Sequence, residues 1–395
     1  MMKPLEGLKV LDLTRLLAGS FCSMILGDLG ADVIKIEKVN GGDDFRSMGP
    51  FLNGESAAFL SVNRNKKSMT LNLRSDRGKK IFLDLVPHFD IVVENFRPGV
   101  MNKLGLGYEV LRSIHPGVIY ASVSGFGQTG PLAFKAAYDF IVSGYSGIMS
   151  INAHPGGEPV RLGIGLGDAV GGMFAAIGIL AAVRAREING EGACIDISML
   201  DSLIALLENP ISRFFATRQN PEPSGNQHPY IAPMGVYKVS DGFIVIAVGN
   251  DKLWASFCKA IERVDLVEDS RFATNTDRIN NLEELREVLG KILHEKQKSE
   301  WLRILDEAGI PCGPLNTIAE AVDETQVRGR NMIVEMDHPT AGAIRVCGTP
   351  VKIEGSKRPS MQRPPLLGEF TKNILQKLLY LTSEEIESLK RDKVI

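Results

Sequence analysis

Leu8–Leu13 reads LKVLDL, Ser20–Gly30 reads SFCSMILGDLG, and Ala31–Glu37 reads ADVIKIE. The two outer runs are short, nearly continuous and aliphatic, as strands buried on both faces are, and the middle run has helical spacing. Strand, helix, strand in this order predicts a parallel pair with its crossover. The pattern recurs: MTLNL precedes the helical DRGKKIFLDLV and then DIVVEN, YEVLRSI precedes VIYASVS, and a helix from about Ala169 to Glu187 leads into ACIDISML. Strands alternating with helices predict a doubly wound α/β domain over residues 1–200.

Beyond it the pattern changes. DSLIALLENPISRFFATR is helix-like and runs into PEPSGNQHPYIAP, which has turn chemistry, so a linker is expected over 201–225. GVYKVSDGFIVIAVG predicts a hairpin about Ser-Asp-Gly, and amphipathic helices follow, giving a smaller α+β domain over 226–325. NMIVEMDHPTAGAIRVCGTPVKIEG predicts antiparallel strands, and Thr382 with Glu385 stands at capping-box spacing before a last helix.

The totals narrow the class. A chain of 395 residues exceeds one typical core, and a formal net charge of -2 with scattered Lys and Arg lacks the basic footprint that nucleic-acid binding needs. The longest apolar run, Ala169–Val183, is short for a membrane span, and the N-terminus enters a strand at once, so a cytoplasmic protein is expected. Five cysteines form no C-x-x-C pair and six histidines no metal-binding spacing, which argues against disulfides and against a metal. Cys312, in GIPCGP, is read as an incidental thiol.

Gly125-Phe-Gly-Gln-Thr-Gly130 fits G-x-G-x-x-G, but Pro131 follows it and it lies outside the first strand-helix turn, so neither NAD nor FAD is expected. Arg15, Lys38, Arg74, Arg97 and Lys103 each fall at or just after a strand end, where cations could converge on an anionic ligand. The stretch Arg161-Leu-Gly-Ile-Gly-Leu-Gly-Asp168 sets one carboxylate before an apolar helix. An N-cap is the simplest reading of Asp168, with the helix N-terminus lowering its pKa. Gly163, Gly165 and Gly167 give more clearance than a cap needs.

Taken together, LEGLKVLDLT…GADVIKIE, VNRNKKSMTLNL, VVENFRPGVMNKLGLGYE, IYASVSGFGQTGP, LGDAVGGMFAAIGILAAV, AGIPCGPLNTIAEA and RPPLLGEFT resemble the class III, formyl-CoA transferase-like and carnitine CoA-transferase-like CoA-transferases. The likeness spans essentially the whole chain. It implies a Rossmann-like large domain completed by a return linker and C-terminal part over 326–395, and an interlocked homodimer. It implies coenzyme A, as acyl-CoA substrate, and a small carboxylic acid as partners, with Asp168 as the nucleophile. Asp168 would attack the thioester to give a mixed anhydride, then carry CoA as an aspartyl thioester. By the same resemblance Arg15, Leu16, Ala18, Lys38, Leu71, Arg74, Arg97 and Lys103 hold CoA, with Tyr138 near the pantetheine end.

Gly165 and Gly167 would make room for the acyl group, and Gly225-Asn226-Gln227-His228 corresponds to a loop that can cover the site. Leu17 replaces a polar residue of formyl-CoA transferase, and Ala136 stands where that enzyme has a lysine. GNQHPYIAPMGVY resembles members that handle succinyl-CoA and dicarboxylates, with carnitine-type and aryl acids as the other substrate classes and with His228 and Arg161 as candidates for a distal carboxylate. The alternatives are an α-methylacyl-CoA racemase, which uses a His-Asp pair whose His, in a G-H-D-like motif upstream of the Asp, meets Tyr138 of Ala-Ala-Tyr138-Asp139 here, and a CoA-binding protein without catalysis. A phenol is a poor replacement for a base titrating near neutrality.

Overall fold

A computed structural model describes residues 3–355 and 361–395. The chain divides into two compact units. One takes the chain up to Met149, Arg161–Gln219, and the chain from Gly329 on; the other takes Ser150–Val160 and Asn220–Arg328.

The larger unit is built on six parallel strands: β1 (Lys9–Asp12), β2 (Asp32–Glu37), β3 (Lys66–Thr70), β4 (Ile91–Glu94), β5 (Ile119–Ser124) and β6 (Ala193–Ser198), in the order β3-β2-β1-β4-β5-β6. This is the doubly wound order, with the reversal between β1 and β4, where the loops leaving the two strands open a crevice. Leu11 stands in register with Ile34 on one side and Val92 on the other.

Alternate residues feed opposite layers, which is why the strands read as continuous apolar runs. Val10, Val33, Ile91 and Val93 pack with Cys22 and Leu26 of α1 (Ala18–Asp28) and with Ala175 and Ile179 of the long helix that follows Gly165. Leu11, Ile34 and Val92 pack on the other side with Phe82 of α2 (Asp76–Leu85) and with Ile374, Leu375, Ile386 and Leu389 of the C-terminal helices Thr371–Leu379 and Ser383–Arg391. The last helix has its capping box, Thr382 with Glu385. Three more helices of this unit matter below: α3 (Asp139–Ser146), α4 (Leu166–Asn189) and α5 (Met199–Leu206).

Three expectations shift. The third strand is Lys66–Thr70 rather than MTLNL, because Lys66 is buried against Asp12 and Asn63 and so occupies a core position that its charge conceals. Residues 199–217, helix-like in the sequence though placed mostly within the 201–225 linker, do form two helices, which belong to the larger unit and break at Leu207, three residues before Pro210. At 24 residues α4 outruns Ala169–Val183 and is long and apolar enough to cross a membrane; half of its apolar window is buried in the fold, and it packs along α1.

The second unit carries β7 (Met234–Val239), β8 (Gly242–Ala247) and β9 (Cys312–Pro314), antiparallel in the order β9-β8-β7. Val239 pairs with Gly242, so Ser240-Asp241 is a two-residue hairpin loop, as expected from the sequence. Trp254, Phe257, Leu285, Leu289 and Trp301 form its core.

Candidate active site

Asp168 lies in the first turn of α4 but does not cap it. The cap position is Gly165, which makes no side-chain cap bond, and the Gly167 N–H donates instead to Oδ1 of Asp139 at 2.7 Å. Asp139, from the first turn of α3, thus takes the role expected of Asp168. Asp168 is left with its carboxylate uncommitted: among the described residues no group donates a hydrogen bond to it.

The electrostatics also correct the expectation that the helix would lower its pKa. Burial, and then the neighbouring Asp139 carboxylate, push Asp168 up from 3.8 to about 7. A helix N-terminus offers an anion at most a modest gain, whereas desolvation and a like charge each move carboxylates by whole units. The result is a carboxylate more basic, hence more nucleophilic, than an exposed one, and still substantially ionised near neutrality.

The three glycines divide by role. A Cβ at Gly163 would meet nothing within 4 Å. One at Gly165 would stand 3.2 Å from Asp168 Oδ2 and 3.2 Å from Leu17 Cδ2, so this bare Cα preserves the open space beside the carboxylate. At Gly167 a Cβ would press on Asp139 Oδ1 at 3.0 Å and on Leu203, so that glycine serves packing and the cap. Further along, a Cβ at Gly172 would lie 2.5 Å from the Ala18 carbonyl oxygen, which fixes how closely α4 and α1 approach.

The residues expected to hold CoA lie mostly at the carboxyl ends of β1 to β4. The Arg15 guanidinium stacks over Phe96, 4.9 Å from the ring centre, and stands 3.8 Å from Asp44, while Lys38 pairs with the same carboxylate at 2.5 Å. Asp44 therefore occupies the anion position between two expected phosphate contacts. Arg74, Arg97 and Lys103 are exposed in the segments after β3 and β4. Leu71 and Ala18 are instead core side chains, each about 2% exposed, so any contact they make with a ligand is through the backbone. Leu16 is left-handed, with φ 58. Tyr138 is exposed at the cap position of α3, immediately before Asp139.

Arg161 belongs to the same unit, and its guanidinium lies 5.7 Å from the centre of the Phe140 ring, next in sequence to Asp139. Gly225, Asn226, Gln227 and His228 belong to the second unit, where the loop is tied down: Gly225 N–H donates to Ala153 O, His228 N–H to Met234 O, and Gln227 is buried in a bridge to Gly235. The Gly125–Gly130 run is a tight loop after β5 in which Gln128 N–H donates to Asp196, and the next helix begins only at Asp139. Among the described residues no three His, Cys, Asp or Glu side chains gather as metal ligands. Sequence reasoning passed over Asp139 as a site residue, although it follows Tyr138, and over Asp43, Asp44 and Asn95, whose roles depend on contacts between strand-end loops.

Residues 5–371 match the family described as CoA-transferase family III. The chain is 41% identical over its full length, and over 91% of the relative, to a succinyl-CoA:glutarate CoA-transferase of Mus musculus. It is 45% identical to an acetyl-CoA:oxalate CoA-transferase of Acetobacter aceti, covering 91% of this chain and 92% of that one. Among solved structures, a CAIB/BAIF family protein from Brucella suis superposes with a TM-score of 0.87 at 36% identity, covering 96% of this chain and all of that one. A match of this extent, to family, relatives and fold alike, means that the chain belongs to CoA-transferase family III.

Proposed function

We propose that this chain is an acyl-CoA:carboxylate CoA-transferase in which Asp168 carries the acyl and CoA groups in turn. The observation that carries the reading is an uncommitted carboxylate, pushed up to about 7, beside the bare Cα of Gly165. Asp168 attacks the thioester carbonyl and expels CoA thiolate, forming a mixed anhydride. The thiolate attacks the aspartyl carbonyl, which releases the donor acid and leaves an aspartyl-CoA thioester. The acceptor carboxylate then attacks that thioester, again expelling thiolate, and thiolate attack on the acceptor acyl group frees Asp168. Exchange of one acyl-CoA and free acid for another is nearly balanced overall while the mixed anhydride lies above both, so positioning and exclusion of water carry the rate. Arg15, Lys38, Arg74, Arg97 and Lys103, cations on the loops after four adjacent strands, suit the phosphates of CoA.

The named relatives transfer CoA to glutarate and to oxalate, both dicarboxylates, which supports a dicarboxylate acceptor and succinyl-CoA as a donor to try first. Arg161, beside Phe140, suits the distal carboxylate. Arg161→Gln is then expected to raise KM for glutarate while leaving KM for a monocarboxylate acceptor unchanged. A racemase is disfavoured because an exposed phenol, Tyr138, stands where that chemistry needs an imidazole.

The interlocked homodimer is part of the same reading. α3, α4 and α5 pack on one another and leave Phe140, Ile141, Tyr145, Met173, Ile177, Ile204 and Leu206 exposed, large apolar side chains suited to burial against a second copy. Sedimentation at micromolar concentration should give twice the chain mass. The enzymatic claim is tested by isotope exchange between succinyl-CoA and free succinate: Asp168→Ala should abolish it while the fold is retained, and retained exchange would remove Asp168 from the mechanism.

A further inference from the structure

The loop between β1 and α1 is held residue by residue. Thr14 N–H donates to Asp12 Oδ1 at 2.8 Å, and Thr14 O accepts from Lys35 Nζ at 2.7 Å. Arg15 is clasped on both sides of its backbone by Asn95, whose Oδ1 accepts from Arg15 N–H and whose Nδ2 donates to Arg15 O, both at 2.8 Å. Leu16 N–H donates to Asp43 Oδ1 at 3.0 Å. Leu16 adopts φ 58, a left-handed conformation that a leucine enters only when its surroundings impose it.

Asp43 is itself held by several partners. Its Oδ1 also accepts from Phe45 N–H at 3.0 Å, its Oδ2 lies 2.8 Å from Lys35 Nζ, and its own N–H donates to Glu37 Oε2 at 2.9 Å. Asp43 and Lys35 are buried, 2% and 0% exposed. Buried ion pairs are poor sources of net stability compared with apolar side chains of similar volume, so their use here calls for a role in specifying conformation.

What the turn specifies is the next residue. Leu17 is the N-cap residue of α1, and its Cδ2 shares with Asp168 Oδ2 the space over the Gly165 Cα, each 3.2 Å from where a Cβ would stand. We infer that Asp43 is a positioning residue for CoA transfer: by accepting the Leu16 N–H it holds the left-handed turn that sets Leu17 beside the Asp168 carboxylate. Asn95 supports the same turn from β4. The inference rests on Asp168 being the nucleophile, since only then does the wall beside it bear on the rate.

A double-mutant cycle tests it, because glycine takes positive φ without strain and needs no clamp. In the exchange assay, with kcat expressed per folded protein, Asp43→Ala in the wild-type background is expected to lower kcat about tenfold or more, as small misplacements beside reacting atoms do. In the Leu16→Gly background the same substitution should cost at most about a third of that factor. A purely structural Asp43 would lower thermal stability and give equal factors in both backgrounds, and that result overturns the inference. So does an Asp43→Ala protein within about twofold of wild type. Should Asp43→Ala fail to fold, Asn95→Ala takes its place in the cycle, with a larger loss expected beside Leu16 than in the Leu16→Gly background. Asp168→Ala is run alongside: turnover retained there would refute the nucleophile reading, while the coupling between positions 43 and 16 would still report on the clamp.

Discussion

Replacing the nucleophile should stabilise the protein, and by an amount that depends on pH in a set direction. Asp168 has its pKa raised from 3.8 to about 7 in the fold, so between those values the folded chain keeps a proton that the unfolded chain gives up. Stability from this group is fully present below about pH 4 and is lost as pH rises to about 7. At about 1.4 kcal/mol per unit, a rise of roughly three units costs about 4 kcal/mol at pH 8. The place of Asp168 in the first turn of α4 returns about 0.3–1 kcal/mol to the charged form, which is too little to reverse the sign. Asp168→Asn should therefore raise the unfolding free energy by about 3 kcal/mol at pH 8 and by little at pH 4 to 4.5. Urea unfolding at the two pH values reads the difference directly. An asparagine variant equal to or less stable than wild type at pH 8, or one stabilised equally at both, would refute the argument that burial and Asp139 hold this carboxyl in its neutral form.

The same electrostatics predict that Asp139→Asn, which removes a like charge yet leaves an acceptor for the Gly167 N–H, moves the acid limb of the kcat/KM profile to lower pH; an unmoved limb would count against the pairing. Gly172→Ala, pressing a methyl to 2.5 Å from the Ala18 carbonyl oxygen, should cost about 1–3 kcal/mol of stability in urea, whereas Gly163→Ala, which meets nothing, should leave stability within about 0.5 kcal/mol. Asp44→Asn frees Lys38 and Arg15 from their shared carboxylate, and because exposed ion pairs are weak it should lower KM for acyl-CoA by no more than about fivefold, less at high salt.

Much of the large unit was legible because its strands are covered on both faces. Val10 and Leu11 feed opposite layers, so β1 lies in a nearly continuous aliphatic run, and the same holds for β2 and β4. What escaped was where the tertiary fold overrides local pattern. Lys66 reads as loop because its charge is neutralised by Asp12, 54 positions away. Ser150–Val160 falls with the second unit through contacts such as Gly225 N–H to Ala153 O, which no local signal announces.

The site divides in the same way. The glycines and the apolar helix marked Asp168, but the local reading made it a cap. Only the packing of α3 against α4 brings Asp139 to the Gly167 N–H, transferring that role and raising the pKa of the neighbour. That the Leu71 side chain enters the core was hidden for a related reason: being at a strand end says nothing about which layer a side chain enters.

The central claim is that Asp168 is covalently acylated. Protein mixed with succinyl-CoA, trapped with hydroxylamine, digested and mapped by mass spectrometry should carry a hydroxamate on the peptide containing Asp168, and intact protein before trapping should carry the mass of CoA. Succinyl-CoA consumed in exchange with an added carboxylic acid, with Asp168 unmodified at every time point and a label on some other residue or none, would contradict it.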